Sequence, residues 1–245
     1  ILDAIQFVDI FPAHYKYYES NTAGTCRITN NERFPASNIS ASVFIKRFMD
    51  SPTTIFSPFH LQPGEEKVVD LKILFSDTIL GLTEKDRATA EIEMEYTLNG
   101  RKRHYKTYTP VRLFNRNAMT WTNPRKAAAF ITATHPAILK TTKPLAGIAG
   151  NMGPVLLDEN VRTAMALFSA LSVYGINYGY DPYKTSYDEA SENSDVLDFV
   201  LFPIELLDYK TGDCDDLTVL YCALLESVCI ETAFILVPQH IFPAF

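Results

Sequence analysis

The sequence predicts an α+β protein in two parts, an antiparallel β-sandwich followed by a domain that mixes helices with strands. Three observations carry that expectation. Apolar residues recur at every second position from Ile1 to about Phe114, the period of a half-buried strand. After Phe114 the period lengthens toward that of a helix. Within the first part, Asn99-Gly100 separates two strand-like runs, and both residues tolerate the positive φ of a type I′ hairpin turn.

The strands can be read in order. Ile39, Ala41, Val43 and Ile45 alternate with polar neighbours. Val69, Leu71, Ile73 and Phe75 do the same after a Pro63-Gly64 turn. In "AEIEMEYTL", Ile92, Met94, Tyr96 and Leu98 share one face and Glu91, Glu93 and Glu95 the other. "RKRHYKTYTPVRLF" returns as its partner. Six or seven such strands joined by turns make a sandwich, expected to span residues 1–118.

The second part, residues 119–245, opens with Asn123-Pro124, an N-cap followed by Pro at the first helical position. Asp158 caps a second helix with an apolar stripe of Val161, Ala164, Leu167, Phe168 and Leu171, and Gly175 ends it. Tyr178 to Asp198 is rich in Tyr, Ser, Asp and Glu and reads as a long loop. Pro203 opens a short helix, "IELLDYK".

Composition narrows the function. Lys+Arg minus Asp+Glu is 22 − 29 = −7, which argues against a nucleic-acid partner. The basic residues Arg101, Lys102, Arg103 and Lys106 are confined to one hairpin. No apolar run reaches the roughly 18 residues of a membrane span. The four cysteines, Cys26, Cys214, Cys222 and Cys229, are too few and too uneven for a disulfide framework. The chain begins with Ile1 rather than Met, which fits removal of a signal peptide or a piece of a longer protein.

The chemistry concentrates in "TGDCDDLTVLYCALLE", where Cys214 stands among Asp213, Asp215 and Asp216 at the start of a helix. Leu217, Tyr221, Leu224 and Val228 mark its expected buried face. Helix N-terminal N–H groups favour an anion there. A thiol in such a place, beside a histidine, falls from about 8.5 to roughly 3.5–7.5. The aspartates need not oppose this if they turn outward to cap the helix or to hold a cation. "IETAFILV" (230–237) reads as a buried strand, with His240 just past its end and 26 residues after Cys214. Cys222 and Cys229, seven apart on one helix, and Cys26 on a strand read as core. His14, His60, His104 and His135 have no neighbours in sequence that suggest chemistry.

The stretch "FPIELLDYKTGDCDDLTVLYCALLESVCIETAFILVPQHIF" resembles the transglutaminase-like superfamily of papain-type cysteine enzymes. The likeness rests on Gly212 to Asp216, Pro203-x-Glu-x-Leu207, the Leu-Leu-Glu helix end and Pro238-x-His240. It covers roughly residues 125–245, and "RNAMTW" and "KAAAFIT" are similar to bacterial proteins that join such a domain to an Ig-like sandwich.

The resemblance implies a papain-like α+β domain, truncated at its C-terminus, with Cys214 as nucleophile and His240 as base. Tyr178 is its candidate oxyanion donor. The implied reaction is hydrolysis of, or acyl transfer from, peptide or amide bonds in a peptide or protein substrate, with no cofactor required. A related group of bacterial calcium-dependent proteases implies calcium at Asp213 and Asp215. The other expectation is a catalytically silent protein- or peptide-binding module of the bacterial envelope.

Three positions depart from the family pattern. The acid after the histidine has no counterpart before Phe245, Gln239 stands where relatives carry Gly, and Cys229-Ile230 stands for Gly-Ile. Without following strands, the 230–237 strand is expected to leave an open edge on which a homodimer can form.

Overall fold

The computed structural model describes residues 2–149, 157–179, 196–238 and 240–245. It is a mixed α+β chain whose larger sheets are antiparallel. Two compact units divide it, Ile1–Arg116 and Asn117–Phe245.

The strands of the first unit are β1 (Leu2–Phe7), β2 (Gly24–Thr29), β3 (Ala36–Ile45), β4 (Thr53–Thr54), β5 (Phe59–Leu61), β6 (Glu66–Leu71), β7 (Asp86–Leu98) and β8 (Arg101–Leu113). One sheet has the order β1-β2-β6 and the other β4-β3-β7-β8, with β5 also on β3. Alternation sets what each strand buries. Ile39, Ala41, Val43 and Ile45 of β3 are buried with Ile92 and Met94 of β7. Cys26 and Ile28 of β2 and Leu71 of β6 join the same cluster, so the two sheets share one core.

The β7–β8 hairpin forms in the expected register, Leu98 opposite Arg101. Its turn residues have φ of 48° at Asn99 and 75° at Gly100, the left-handed pair a type I′ turn needs. Lys106 of β8 reaches both Glu91 and Glu93 across the strands, so its charge is matched locally. One expectation here is corrected: Ile73 and Phe75 are buried, but they lie beyond the end of β6 at Leu71.

The second unit contains β9 (Ala118–Thr120), a 3-10 turn at Pro124–Phe130, α1 (Pro136–Ala149), α2 (Glu159–Val173), β10 (Asn177–Tyr178), β11 (Leu197–Phe199), α3 (Pro203–Tyr209), β12 (Thr211–Gly212), α4 (Cys214–Glu226), β13 (Ala233–Val237) and β14 (His240–Ala244). The caps follow the sequence. The Asn123 side chain accepts from the Arg125 N–H, and Asp158 accepts from the N–H groups of Asn160 and Val161. Most of the expected 178–198 loop lies outside the described residues; its ends form β10 and β11.

Helix α4 is the centre of this unit. α1, α2, α3, β14 and the Pro124–Phe130 turn all pack on it. It is therefore buried nearly all round, with Val219, Leu220, Cys222, Ala223, Leu224 and Leu225 inside, where a single apolar face was expected. A helix with neighbours on every side needs no polar face. Leu217 and Tyr221, expected in the core, are only half-buried. On α2, Ala164 and Leu167 are buried, but Val161 and Phe168 of the expected stripe are exposed.

Cys229 is a further correction. It is exposed and lies past the end of α4 at Glu226, with a left-handed φ of 64°. The helix stops at its C-cap Ser227, so the seven-residue spacing from Cys222 carries no shared face. The strand expected at 230–237 begins only at Ala233. Among the described residues, no helix is long and apolar enough to cross a membrane.

Candidate active site

Gly212 fixes the approach to the cysteine. A Cβ there would lie 2.7 Å from the Asp216 Cβ and 2.8 Å from the Leu206 Cδ1, so only glycine lets the end of α3 and the first turn of α4 close on one another. The short strand β12 runs parallel to β10, placing Tyr178 opposite Gly212. The Gly179 N–H donates to the Gly212 carbonyl at 3.0 Å. Asp213 is extended, with φ −90° and ψ −160°, and Cys214 is the first residue of α4.

At the other end of the fold, β13 and β14 form a hairpin with Val237 opposite His240. His240 is thus the first residue of β14 rather than the last of the preceding strand; Gln239 lies outside the described residues. The Thr218 hydroxyl donates to the Ile241 carbonyl at 3.1 Å and ties β14 to α4 one turn after Cys214.

These elements bring Cys214, His240 and Tyr178 to one cavity of about 340 Å³. Leu217 and Tyr221 of α4, Phe168 and Leu171 of α2, and Phe242 of β14 complete most of its wall. Cys214 is only 6% exposed, whereas His240 and Tyr178 are exposed. A larger cavity of about 540 Å³ lies against β13 and Asn123–Arg125, but neither cysteine nor histidine lines it. Size does not choose the site; the thiol and imidazole do.

The remaining cysteines are poor nucleophile candidates. Burial pushes the Cys26 thiol up to about 12 and the Cys222 thiol up to about 11. Cys229 is exposed, and the shallow cavity it lines is formed with Glu226, Ile230, Glu231 and Thr232.

The aspartates do not turn outward, as the sequence led us to expect. Asp213, Asp215 and Asp216 are all buried, with Asp198 beside them. Asp213 stands at the N-cap but its side chain caps nothing. Asp216 instead accepts the Leu201 N–H at 2.6 Å. Asp198 accepts the Trp121 indole N–H at 2.6 Å and its neighbour's Phe199 N–H at 2.8 Å.

Asp215 is the extreme case, because neither of its oxygens has a hydrogen-bond donor. Burial, the proton-sharing contact with Asp213, and the charges of Asp198, Asp216 and Asp213 push its carboxyl well above the usual range. Two ionised carboxylates have no proton to share, so a protonated Asp215 supplies the donor that the pair lacks. Sequence reasoning missed Trp121 and Asp198, and it named Asp216 without its inward bond to Leu201. The Trp121–Asp198 bond joins residues 77 apart, and no local pattern announces it.

Oxygens of Asp213 and Asp215 and the Cys214 sulfur lie within 4.8 Å of one another. This buried Asp-Cys-Asp cluster has the donors to bind a metal. No protein-family model matches the chain, and comparison with curated proteins finds no match. The functional reading therefore rests on the geometry and on the motif in the sequence.

Proposed function

We propose that the second unit is a transglutaminase-like cysteine hydrolase or acyltransferase of papain-like architecture, acting on peptide or amide bonds. One observation carries the reading: a thiol at a helix start and an imidazole from a distant hairpin line the same cavity. The first unit, with two sheets on a common core, is read as its Ig-like sandwich.

The residues divide the work as follows. The imidazole of His240 takes the Cys214 proton, and the thiolate sulfur adds to the amide carbonyl carbon. The resulting oxyanion is held by the Cys214 N–H at the N-terminus of α4, where the helix favours negative charge. Tyr178, held opposite Gly212 by strand pairing, supplies the second donor. The C–N bond then breaks, the imidazolium gives its proton to the leaving amine, and a thioester remains on the sulfur. Water resolves it in hydrolysis and a second amine in acyl transfer.

A divalent cation is compatible with this site. The Asp213 Oδ1 and both Asp215 oxygens are buried with no donor from outside the carboxylate pair, and carboxylate oxygens suit calcium. Cys214 sulfur is too soft to be one of its ligands. Calcium bound there would neutralise the carboxylate pair and hold the first turn of α4; Asp213 and Asp215 would be its ligands.

Alkylation tests the nucleophile. In a Cys229→Ser protein, which lacks the exposed competitor, brief iodoacetamide treatment at pH 6 should modify Cys214 first. His240→Ala should then move the labelling midpoint up toward about 8.5. Slow labelling of Cys214 with an unchanged profile would remove the catalytic reading and leave the cleft as a peptide-binding surface.

A further inference from the structure

We infer that the Cys214 cavity takes a bulky apolar side chain, aromatic or long aliphatic, next to the amide under attack, and turns away charged ones. This rests on the cysteine-enzyme reading above and goes further, to the class of substrate.

The first support is the absence of charge. Besides the Cys214–His240 pair, no acidic or basic side chain lines the cavity among the described residues. Burying an unpaired charge there costs far more than burying hydrocarbon.

The second support is that three polar side chains in the wall, those of Tyr221, Thr218 and Asn177, are committed to the protein's own backbone. The Tyr221 hydroxyl donates to the Ala164 carbonyl at 2.8 Å. The Thr218 hydroxyl donates to the Ile241 carbonyl, and the Asn177 amide donates to the Gly175 carbonyl at 2.8 Å. These bonds direct one donor of each side chain to the framework, and Tyr221 and Thr218 then offer ring and methyl surface to a ligand.

Two aromatic side chains at the mouth complete the case. Phe168 is 65% exposed and meets the Tyr221 ring edge-on, with centroids 5.9 Å apart. Phe242, also exposed, stacks on the His240 ring at 6.2 Å. Large apolar groups exposed beside a cavity provide contact area that a ligand can cover. The volume of about 340 Å³ stands at the lower end of ligand sites, which run from roughly 300 to 1,000 Å³. It suits one large side chain with its amide, not a long segment.

Peptidyl chloromethyl ketones test the inference without requiring turnover. In these reagents the sulfur displaces chloride, forming an S–C bond, and the thiol proton leaves with the halide. N-acetyl-Phe, N-acetyl-Asp and N-acetyl-Lys chloromethyl ketones would be applied to the Cys229→Ser protein. Cys214 modification would be read by mass spectrometry and divided, for each variant, by the iodoacetamide rate at the same thiol. The Phe reagent should react about tenfold or more faster than either charged one, within the range that apolar pockets discriminate. Phe168→Ala should lose most of that preference, and Phe168→Leu should keep part of it. Equal normalised rates for all three reagents, or a preference indifferent to both Phe168→Ala and Phe242→Ala, would overturn the inference while leaving the nucleophile in place. Failure of iodoacetamide itself to reach Cys214 would overturn the underlying reading, and this one with it.

Discussion

Replacing Asp215 by Asn isolates the titration of one buried carboxyl. The side chain is fully inside, neither oxygen has a donor, and burial with its acidic neighbours raises its carboxyl well above the usual range. In the unfolded chain it ionises near pH 3.9. Below that pH both states hold the proton, and the contribution to stability is intact. As pH rises further the unfolded chain releases its proton while the folded one keeps it. Stability then falls by about 1.4 kcal/mol per pH unit until the folded carboxyl ionises as well. Asn has nearly the same shape, and its amide donates to Asp213 without titrating.

Asp215→Asn should therefore match the parent near pH 4 and gain on it steadily as pH rises. Carboxylates remote from Asp215 titrate alike in both proteins and cancel in the difference. Urea unfolding followed by fluorescence gives the comparison, since the single tryptophan, Trp121, belongs to the second unit and is bonded to Asp198. The buffers should contain a chelator, so that no cation occupies the pair. Parallel stability curves from about pH 4 to 7, with no widening near the 1.4 kcal/mol per unit slope, would refute the assignment of Asp215 as the proton-bound member.

Three further outcomes are expected. Calcium at a hundred times its dissociation constant should stabilise the parent by about 2.7 kcal/mol but leave Asp215→Asn unchanged, in the same unfolding assay. Trp121→Phe removes the donor to buried Asp198 and should cost about 1.5–3 kcal/mol, read by far-ultraviolet circular dichroism in urea. The chain should self-associate through β13, which among the described residues pairs with β14 alone and exposes Ile235, Leu236 and Val237. Sedimentation equilibrium at micromolar concentrations should show dimer, and Leu236→Lys should return it to monomer.

What could be read from the sequence was what local chemistry determines. The Asn99-Gly100 turn forms because the two residues themselves accept positive φ, and β7 and β8 then pair in the only register that turn allows. Asp158 caps α2 for an equally local reason. The start of α4 at Cys214 was legible too, from the Gly-Asp preceding it and the apolar run following it. What failed depended on neighbours distant in the chain. Phe168 fits the helical stripe of α2, yet it stays exposed and lines the cavity beside Tyr221 of α4. Cys229 keeps the spacing of a core position, but the backbone has already left the helix. The fate of the aspartates was hidden for the same reason, since Leu201 and Trp121 come from segments well separated in sequence from Asp216 and Asp198.

That fate answers why a nucleophile would sit among three acids. Electrostatic opposition to a thiolate requires charge on the carboxylates and a direct view of the sulfur. Burial and the neighbouring acids raise the Asp215 carboxyl well above its ordinary range, which favours its uncharged form. Asp216 is aimed at the backbone N–H of Leu201, which binds the chain entering α3 to the first turn of α4. Asp198, bonded to Trp121, fixes β11 against β9 on the same side. The acids thus act inward, as fasteners between α4 and the segments before it. The helix N-terminus adds a field at Cys214 that favours negative charge, against the Asp213 oxygen that lies within 4.8 Å of the sulfur. Rigid placement matters here because the proposed base arrives from the β13–β14 hairpin, tied to α4 by the Thr218–Ile241 bond. If the first turn of α4 shifted, the thiol and the imidazole would move apart, and a misplacement of about 1 Å can cost about a hundredfold in rate. The buried aspartates therefore bear on the proposed chemistry through geometry, by fastening the start of α4 whose Cys214 shares a cavity with His240.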